Sequence, residues 1–378
     1  MPVTKFQTLS KSKYFPFNTA LEDFFENYEI FEDVECYQLF FSPYPNCSVE
    51  APDEGTSFDD LHKLKFKSSV VIFNVMDSII NKDETLALDS LKEFVSMYPE
   101  QKFIFFNNLI NLNKLVNNTN FYSDFLLSFT LPNKYIHCEK HDIKKNRWVM
   151  LSANYRPFRV LTASYMISKK LHKHGYMAFN DDECNEYIIN FKNYPEELFE
   201  GFKKLKNKKF NQLSIKKYNH NNFIDPVSNY HLHLLPVYKK IALEIVLGTH
   251  FDQPLPLISE KEIQSIYGKN FSIYMNSAGV VDELKNYFGI DVFDDIINHS
   301  YDKIKDPFKR IKTAIDENKA LLNGSTNLNE LWNDNKSRFI ENCNRLDSLI
   351  FDKTYQNYHN EKSIKKALDH FKILYKRR

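Results

Sequence analysis

The sequence has 378 residues, of which 50 are basic and 49 acidic, and its formal net charge is +1. A hydrophobic share of 43% and an aromatic share of 15% exclude a disordered chain, which requires low hydrophobicity and high net charge. The balanced charge also excludes a protein-wide field that would attract a polyanion. At roughly 150 residues per domain, this length predicts two domains.

The cysteines are widely spaced and form no CxxC pair; they are Cys36, Cys47, Cys138, Cys184 and Cys343. This pattern predicts reduced thiols instead of a disulfide framework or a zinc site. The N-terminal sequence lacks the apolar core of a secretion signal, and no run reaches about 18 apolar residues. We therefore expect no membrane span and a cytoplasmic location, which is the host cytoplasm if the protein is viral.

In the first half of the chain, short apolar runs alternate with amphipathic stretches. Residues 69–75 (SVVIFNV) and 102–106 (KFIFF) are apolar on both faces, which is typical of buried parallel strands. Residues 84–98, between them, have helical spacing, and residues 135–138 are a further strand candidate. This order predicts βαβ units and a parallel sheet.

The same alternation begins again near position 147. Strands are predicted at residues 147–152, 243–247 and 271–274, and helices at residues 158–173 and 260–267. The second half of the chain is therefore predicted to form a second sheet with its own crossover helices, like the first half.

The tail after Asp306 has helical spacing throughout, with helices predicted at residues 309–322, 328–349 and 363–375. Residues 201–222 are basic and polar, and fit a surface loop or a weak helix.

Together these patterns predict an α/β fold with two doubly wound, Rossmann-like domains that face a cleft. The predicted domains are residues 1–145 and 146–325, and residues 326–378 are expected to form a helical C-terminal extension. Ligands of such sheets bind at the carboxyl ends of the strands, but this fold class serves transferases, kinases, dehydrogenases and binding proteins alike.

Several familiar catalytic motifs are absent, including GxGxxG, GxxxxGK[ST], HExxH and GxSxG. His231 and His233 have no nearby cluster of carboxylates or cysteines, so they are more typical of a strand face than of a metal site. We predict no metal centre.

The first informative segment, residues 149–175, contains a strand, a turn with Asn154, and a helix that begins near Arg159. A guanidinium beside a helix N-terminus favours a phosphate, because the planar fork and the exposed amides both bind its oxygens. The alternative interpretation is that Arg159 pairs with a surface carboxylate.

The second informative segment places Glu260 and Lys261 at the start of a helix, before the strand FSIYM. In a nucleotide-sugar site, such a carboxylate accepts hydrogen bonds from ribose hydroxyls, and the ammonium neutralises the diphosphate. An adjacent Glu-Lys pair is common by chance. The evidence is therefore the order of the two residues and their distance from Arg159 along the sequence.

With the run Gly289–Arg310 (GIDVFDDIINHSYDKIKDPFKR), these segments resemble three blocks of the fucosyltransferase-like glycosyltransferases. This alpha-1,3-fucosyltransferase-related family is found in viruses and marine bacteria. The resemblance covers about residues 147–320, in the family's order. It implies a GT-B-like fold, with residues 146–325 as the nucleotide-sugar-binding domain and residues 1–145 as the acceptor side.

The resemblance also implies roles for particular residues. Arg159 and Lys261 would contact the donor diphosphate, and Glu260 the ribose. Glu244 matches an acidic position that the family places near the donor, and Asn154 is a further donor-side candidate. The catalytic base would be an acidic residue of the N-terminal domain, for which Asp77, just after the strand SVVIFNV, is the positional candidate. An alternative role for Asp77 is a helix N-cap.

The chain departs from the family pattern near the Glu-Lys pair. Ser259 replaces the family's threonine but keeps a hydroxyl, and it is grouped here with the donor-binding residues. Glu262 adds a negative charge one residue beyond the lysine, and residues 268–271 (GKNF) replace a G-x-P motif. These changes indicate either an altered donor or a member that has lost activity.

The resemblance implies a transferase that needs no cofactor besides its nucleotide-sugar co-substrate, with a GDP-sugar and fucose as first choices. A glycan or small molecule would be the acceptor. Two alternatives stay open: a viral DNA-modifying glycosyltransferase, for which the basic runs at residues 203–209 and 364–378 would bind nucleic acid, and a non-catalytic descendant with a structural role.

Overall fold

The computed structural model describes residues 4–8, 19–39, 61–75, 87–107, 112–124, 126, 137–144, 147–152, 157–179, 194–207, 211, 234–248, 251, 255–350 and 352–378. The chain divides into two compact units. Unit 1 comprises residues Met1–Leu131 and Asp347–Arg378, and unit 2 comprises Pro132–Leu346.

The strands are β1 (Thr4–Thr8), β2 (Tyr28–Ile30), β3 (Val34–Leu39), β4 (Val70–Val75), β5 (Lys102–Phe106), β6 (Phe121–Asp124), β7 (Trp148–Leu151), β8 (Gly175–Ala178), β9 (Leu243–Leu247), β10 (Phe271–Met275) and β11 (Tyr375–Arg377).

The α-helices are α1 (Thr19–Asn27), α2 (Leu88–Met97), α3 (Asn113–Val116), α4 (Pro157–Ser168), α5 (Glu196–Lys206), α6 (Glu260–Tyr267), α7 (Val280–Asn286), α8 (Pro307–Glu317), α9 (Lys319–Leu322), α10 (Leu328–Asp334), α11 (Lys336–Ile350) and α12 (Lys353–His370). Two 3₁₀ turns lie at Leu171–His174 and Ser300–Lys303.

Unit 1 contains a parallel sheet whose described strands run in the order β1-β3-β4-β5-β6. Strand β4 is buried along its whole length, as its continuous apolar run predicts for a sheet covered on both faces. On one face Phe73, Phe94 and Phe103 pack as an aromatic cluster with ring centroids 5.2 to 6.1 Å apart. On the other face Ile72 belongs to a separate apolar core.

Unit 2 contains a second parallel sheet, with the order β10-β9-β7-β8. Its core is continuous from this sheet into helices α4, α8 and α10. Both tryptophans of the chain, Trp148 and Trp332, are buried in this core. Tryptophan fluorescence therefore reports on the unfolding of unit 2.

The α/β class and the two Rossmann-like parallel sheets predicted from the sequence are confirmed. Strands β5 and β9 and helix α6 have the predicted bounds, β4 and β10 differ from them by one residue at one end, and β7 is one residue shorter at each end. Local sequence explains the bounds of α6, because Ser259 caps its first turn with a capping box and Gly268 ends it.

The prediction of a tail that is helical throughout was wrong at its end. Residues Tyr375–Arg377 form strand β11, which pairs antiparallel with β2. Ile364 and Leu368 of α12 are buried in the core of unit 1. Residues 347–378 thus belong to unit 1, whereas the sequence suggested a separate extension from residue 326, because distant apolar partners decide where an amphipathic helix packs.

The strand predicted at residues 135–138 is described only at its last two positions, and these are not in a strand. The Cys138 amide donates instead to the Tyr267 carbonyl at 2.9 Å. Within the described part of the chain, no helix is both long and apolar enough for a membrane span.

Candidate functional site

The strand order of unit 2 reverses at β7. The chain adds β8 on one side of β7, then returns to add β9 and β10 on the other side. All described pairings in this sheet are parallel, so the carboxyl ends of the strands share one edge. In open α/β sheets the crevice at such a reversal is where ligands bind. The candidate site is therefore the edge where β7 and β9 end.

Arg159 spans this reversal. It lies in the first turn of α4, which follows β7, and its Nη2 donates to the Gly248 carbonyl at 2.8 Å. Gly248 comes directly after β9. Only 3% of the arginine is exposed, so a buried charge-assisted hydrogen bond joins the ends of the two strands at the switch point.

Gly248 leaves room for the side chain of Asn276, the residue that follows strand β10. A Cβ at this position would lie 2.3 Å from Cγ of Asn276, closer than real Cβ contacts come. Asn276 directly follows β10 and is 1% exposed. The glycine therefore allows the asparagine side chain to lie directly against the backbone whose carbonyl holds Arg159.

Glu260 and Lys261 begin α6, the helix that follows β9. Their side chains form an ion pair and are 37% and 27% exposed. Burial works to raise the pKa of Glu260, but the charges of Lys261 and Arg159 outweigh it and hold that pKa below its usual value. The Glu260 carboxylate is thus subject to positive charge from both α4 and α6.

Ser259 and Glu262 are tied to each other at the start of α6. The Ser259 hydroxyl caps the first turn, and the Glu262 carboxylate accepts from the Ser259 amide at 2.8 Å. Glu262 is fully buried. The capping box turns this acidic side chain, one residue beyond the lysine, back toward the N-cap.

Glu244 lies at the opposite edge of the same sheet. It is the second residue of β9, about 13 Å along the strand from Gly248 at roughly 3.3 Å per residue. Its buried carboxylate accepts from the Tyr238 hydroxyl and the Asn270 amide, both at 3.2 Å. Lys140 donates to the same Asn270 side chain at 2.6 Å. Arg159, Glu260 and Lys261 thus lie in segments that follow the carboxyl ends of β7 and β9, whereas Glu244 lies near the opposite end of β9.

Glu244 should make the stability of unit 2 depend on pH. Burial raises the pKa of its carboxyl to about 7, against hydrogen bonds from Ser265, Tyr238 and Asn270 and the charge of Lys140. A raised folded-state pKa means that the stabilisation is fully present below the ordinary value of 4.5 and is lost as the pH rises toward 7. We expect the stability of wild type relative to E244Q to fall by more than about 1 kcal/mol between about pH 5 and pH 7.

Urea unfolding followed by tryptophan fluorescence measures this difference. The comparison is made at pH 7 and below. Burial lowers the pKa of Lys140 to about 7, so this lysine makes the stability rise with pH above that value, opposite to the effect of Glu244. A difference between the two proteins that did not change with pH would contradict the prediction.

Asp77 and Asn154 lie outside the described residues, as do His231, His233 and the adjacent aspartates Asp181 and Asp182. A second pair of adjacent aspartates is described: Asp294 binds Lys285 and Asp295 binds Arg338. Among the described residues there is no group of three or more histidines, cysteines and carboxylates with the spacing of a metal site.

The basic run that suggested nucleic-acid binding lies partly in α5. Lys203 forms an ion pair with Glu200 at 2.7 Å on an exposed helix face, which is the ordinary arrangement of a solvated helix. Residues 208–210 and 212–233 lie outside the described part.

The sequence did not single out Gly248 or Asn276, and it treated Glu262 only as an added negative charge. A signal for Glu262 was present, because S-x-x-E from Ser259 to Glu262 is the sequence form of a capping box. The contact between Gly248 and Asn276 had no such signal, since it depends on the pairing of β9 with β10.

No family model matches the sequence, and no curated protein matches it. Solved structures that are similar include OtsA and TarM. The trehalose-6-phosphate synthase OtsA has 8% identity and a TM-score of 0.41, over 91% of this chain and 73% of OtsA. A mutant of S. aureus TarM, in complex with fondaparinux, alpha-GlcNAc-glycerol and UDP, has 9% identity and a TM-score of 0.34, over 84% of this chain.

This chain spans about half of TarM, with 55% of that chain covered. At these TM-scores the likeness says nothing about the site, and the fold class given above rests on the strand order and pairing of the two sheets.

Proposed function

We propose that this chain is a glycosyltransferase that transfers a sugar from a nucleoside diphosphate to an acceptor hydroxyl, with its donor site at the switch point of unit 2. The observation that carries the proposal is the Arg159–Gly248 hydrogen bond across the reversal, with the Lys261–Glu260 ion pair at the start of α6, the helix that follows β9. Arg159 and Lys261 supply the two positive groups that a diphosphate leaving group requires.

The chemistry follows from the types of these side chains. As the bond between sugar and diphosphate breaks, negative charge develops on the diphosphate oxygens. The guanidinium of Arg159 and the ammonium of Lys261 neutralise this charge and stabilise the transition state. The first-turn amides of α6 add partial positive charge at the same place.

In this scheme the partner of Glu260 changes when the donor binds. In the structure its carboxylate pairs with Lys261. When a diphosphate takes the ammonium, the carboxylate is released to accept hydrogen bonds from the ribose hydroxyls. The ion pair thus holds both groups in place for a nucleoside diphosphate.

The resemblance of residues 147–320 to the fucosyltransferase-like family makes a GDP-sugar the first choice of donor and fucose the first choice of sugar. A glycan or a small molecule would supply the acceptor hydroxyl. An acidic residue of the N-terminal half, with Asp77 as the candidate, would remove its proton as general base, worth about 10²–10⁴-fold in rate. Because two side-chain cations face the leaving group, the scheme needs no metal.

Thermal unfolding with a panel of GDP, UDP, CDP and ADP tests the donor site. A nucleotide at about 100 times its Kd should stabilise the folded protein by about 2.7 kcal/mol. In K261A the affinity should fall by about tenfold to a hundredfold, the worth of a charge-assisted hydrogen bond of roughly 1.5–3 kcal/mol. K303A is the matched control, because Lys303 is a lysine of the same unit with 79% of its side chain exposed.

Stabilisation by one nucleotide that is kept in K303A and reduced in K261A would support the donor site and identify the nucleotide. No stabilisation by any of the four would exclude the proposed function and leave the non-catalytic alternative. Equal loss in both variants would show a general charge effect and contradict the assignment of Lys261.

A further inference from the structure

We propose that Glu262 and Asn276 are positioning residues that fix Arg159 and Lys261 through one buried relay of hydrogen bonds and a packing contact against Gly248. This inference rests on the proposed function of the same crevice. Neither side chain would touch the donor. Their role would be to fix, from the inside of unit 2, the two cations that do.

The relay begins at Asn276, whose side-chain amide is fully engaged. Its Nδ2 donates to Glu262 Oε1 at 2.8 Å and to the Leu257 carbonyl at 3.0 Å. Its Oδ1 accepts from the Ser277 amide at 2.7 Å. A buried amide with both ends bonded has a single orientation, because any rotation would leave a donor or an acceptor unsatisfied.

From Asn276 the relay reaches Arg159 through Gly248. The asparagine side chain lies against the glycine, where no Cβ would fit. The Gly248 amide donates to the Met275 carbonyl at 2.9 Å. Gly248 is therefore held through its amide and through the asparagine packed against it, and its carbonyl accepts the hydrogen bond from the Arg159 guanidinium.

From Glu262 the relay reaches Lys261 through the capping box. Glu262 Oε2 accepts from the amide and from the hydroxyl of Ser259, at 2.8 and 2.7 Å. These bonds fix the N-cap, and the N-cap fixes the first turn in which Glu260 and Lys261 lie. A movement of Glu262 would thus displace the ammonium.

The choice of a carboxylate at position 262 supports this role over capping alone. Either Glu or Gln closes a capping box. Here every partner of the side chain is a donor: the Asn276 amide, the Ser259 amide and the Ser259 hydroxyl. A glutamine would turn its own N–H groups toward one of these donors. The side chain at position 262 must therefore accept hydrogen bonds on both of its terminal atoms, which only a carboxylate does.

Two near-isosteric variants test the relay. E262Q introduces a donor where only donors lie opposite, and N276D sets a carboxylate against Glu262 Oε1. Calorimetric titration with inorganic pyrophosphate, GDP and guanosine, well below the melting temperature, separates the diphosphate from the nucleoside. We expect the affinity for pyrophosphate and GDP to fall by about tenfold or more, and that for guanosine to stay within about twofold.

S265A is the matched control. Ser265 lies on the same helix and makes a buried hydrogen bond with Ser272 at 2.8 Å, away from the relay. Its loss should lower the melting temperature without changing the ratio of the GDP affinity to the guanosine affinity. A purely structural role for Glu262 and Asn276 would give the same result as this control.

A second readout does not depend on any nucleotide. The rate at which trace acetic anhydride acylates Lys261, followed by peptide mass spectrometry, reports how firmly the ammonium is held. We expect this rate to rise about threefold or more in E262Q and N276D, and not in S265A.

The two proposals fail separately. If wild type binds neither pyrophosphate nor any nucleoside diphosphate, the proposed function is excluded, and the acylation rates still decide on the relay. The relay is overturned if Lys261 is acylated at the wild-type rate in both variants. It is equally overturned if wild type binds pyrophosphate and both variants bind it as tightly.

Discussion

Replacing Arg310 by methionine should destabilise unit 2 by about 3–5 kcal/mol, because each buried carbonyl left without a donor costs about 1–3 kcal/mol. The guanidinium is 2% exposed and donates to the carbonyls of Ile304, Phe251 and Lys305 at 2.7 to 3.1 Å, and to that of Asn276. Methionine fills a similar volume but donates to none of them, so four carbonyls lose their donor, and the bonds to Phe251 and Asn276 are fully buried.

The expected loss is measured by urea unfolding followed by tryptophan fluorescence, which reports on unit 2. R310K should lie between wild type and R310M, since an ammonium keeps the charge but lacks the geometry of the fork. K309A is the control, because the neighbouring Lys309 side chain is exposed and its loss should cost less than about 0.5 kcal/mol. A loss of stability of less than about 1 kcal/mol in R310M would contradict the network, because the expected loss is about 3–5 kcal/mol.

Replacing Trp148 by alanine should lower the stability of unit 2 by about 3–5 kcal/mol. This residue of β7 is fully buried, and its indole N–H donates to the Leu322 carbonyl at 2.9 Å. The substitution leaves both a cavity and a carbonyl without its donor. W148F should cost less, because it keeps a ring and loses mainly the hydrogen bond.

A double-mutant cycle with Gly175 sharpens this prediction. A Cβ on Gly175 would lie 2.1 Å from the ring of Trp148, so G175A alone should be strongly destabilising. In the W148A background the same change should be tolerated, because the space of the ring is open. A coupling free energy of more than about 1 kcal/mol between the two sites is expected, measured by urea unfolding followed by circular dichroism. Additive effects would show that the ring does not fill this space.

The Gly289–Arg310 run illustrates how a sequence resemblance and a structural role can coincide. Tyr301 accepts a hydrogen bond from the Tyr274 amide at 2.9 Å. Asp302 accepts from the amides of Val281 and Asp282 at the start of α7. With Arg310, these residues tie the segment after β10 to α8. The described residues of the run therefore build the frame beside the candidate site instead of lining it.

Much of the second unit could be predicted from local sequence. Strands β7, β9 and β10 are apolar runs that only a sheet covered on both faces can bury. Helix α6 has its capping box, and α8 has Asp306 and Pro307 at its start. These signals act over a few residues, so they can be read without knowing the rest of the chain.

The site was only partly predictable. The Arg159 and Glu260-Lys261 segments were found because each joins a charged group to a helix start. The positions of Glu244 and Glu262 relative to them were not readable. A strand of five residues separates its two ends by about 13 Å at roughly 3.3 Å per residue, and the direction of a capping-box carboxylate depends on which donors surround it.

The sequence by itself determined the α/β class, the two parallel sheets and the segments that supply cationic groups, because hydrophobic periodicity and helix caps are local properties. The tertiary structure alone decided the reversal of strand order at β7, the pairing of β11 with β2, and the contact of Asn276 with Gly248. Each of these joins residues far apart in the chain, and such contacts form only where packing in the folded protein compensates for the entropy of closing the intervening loop.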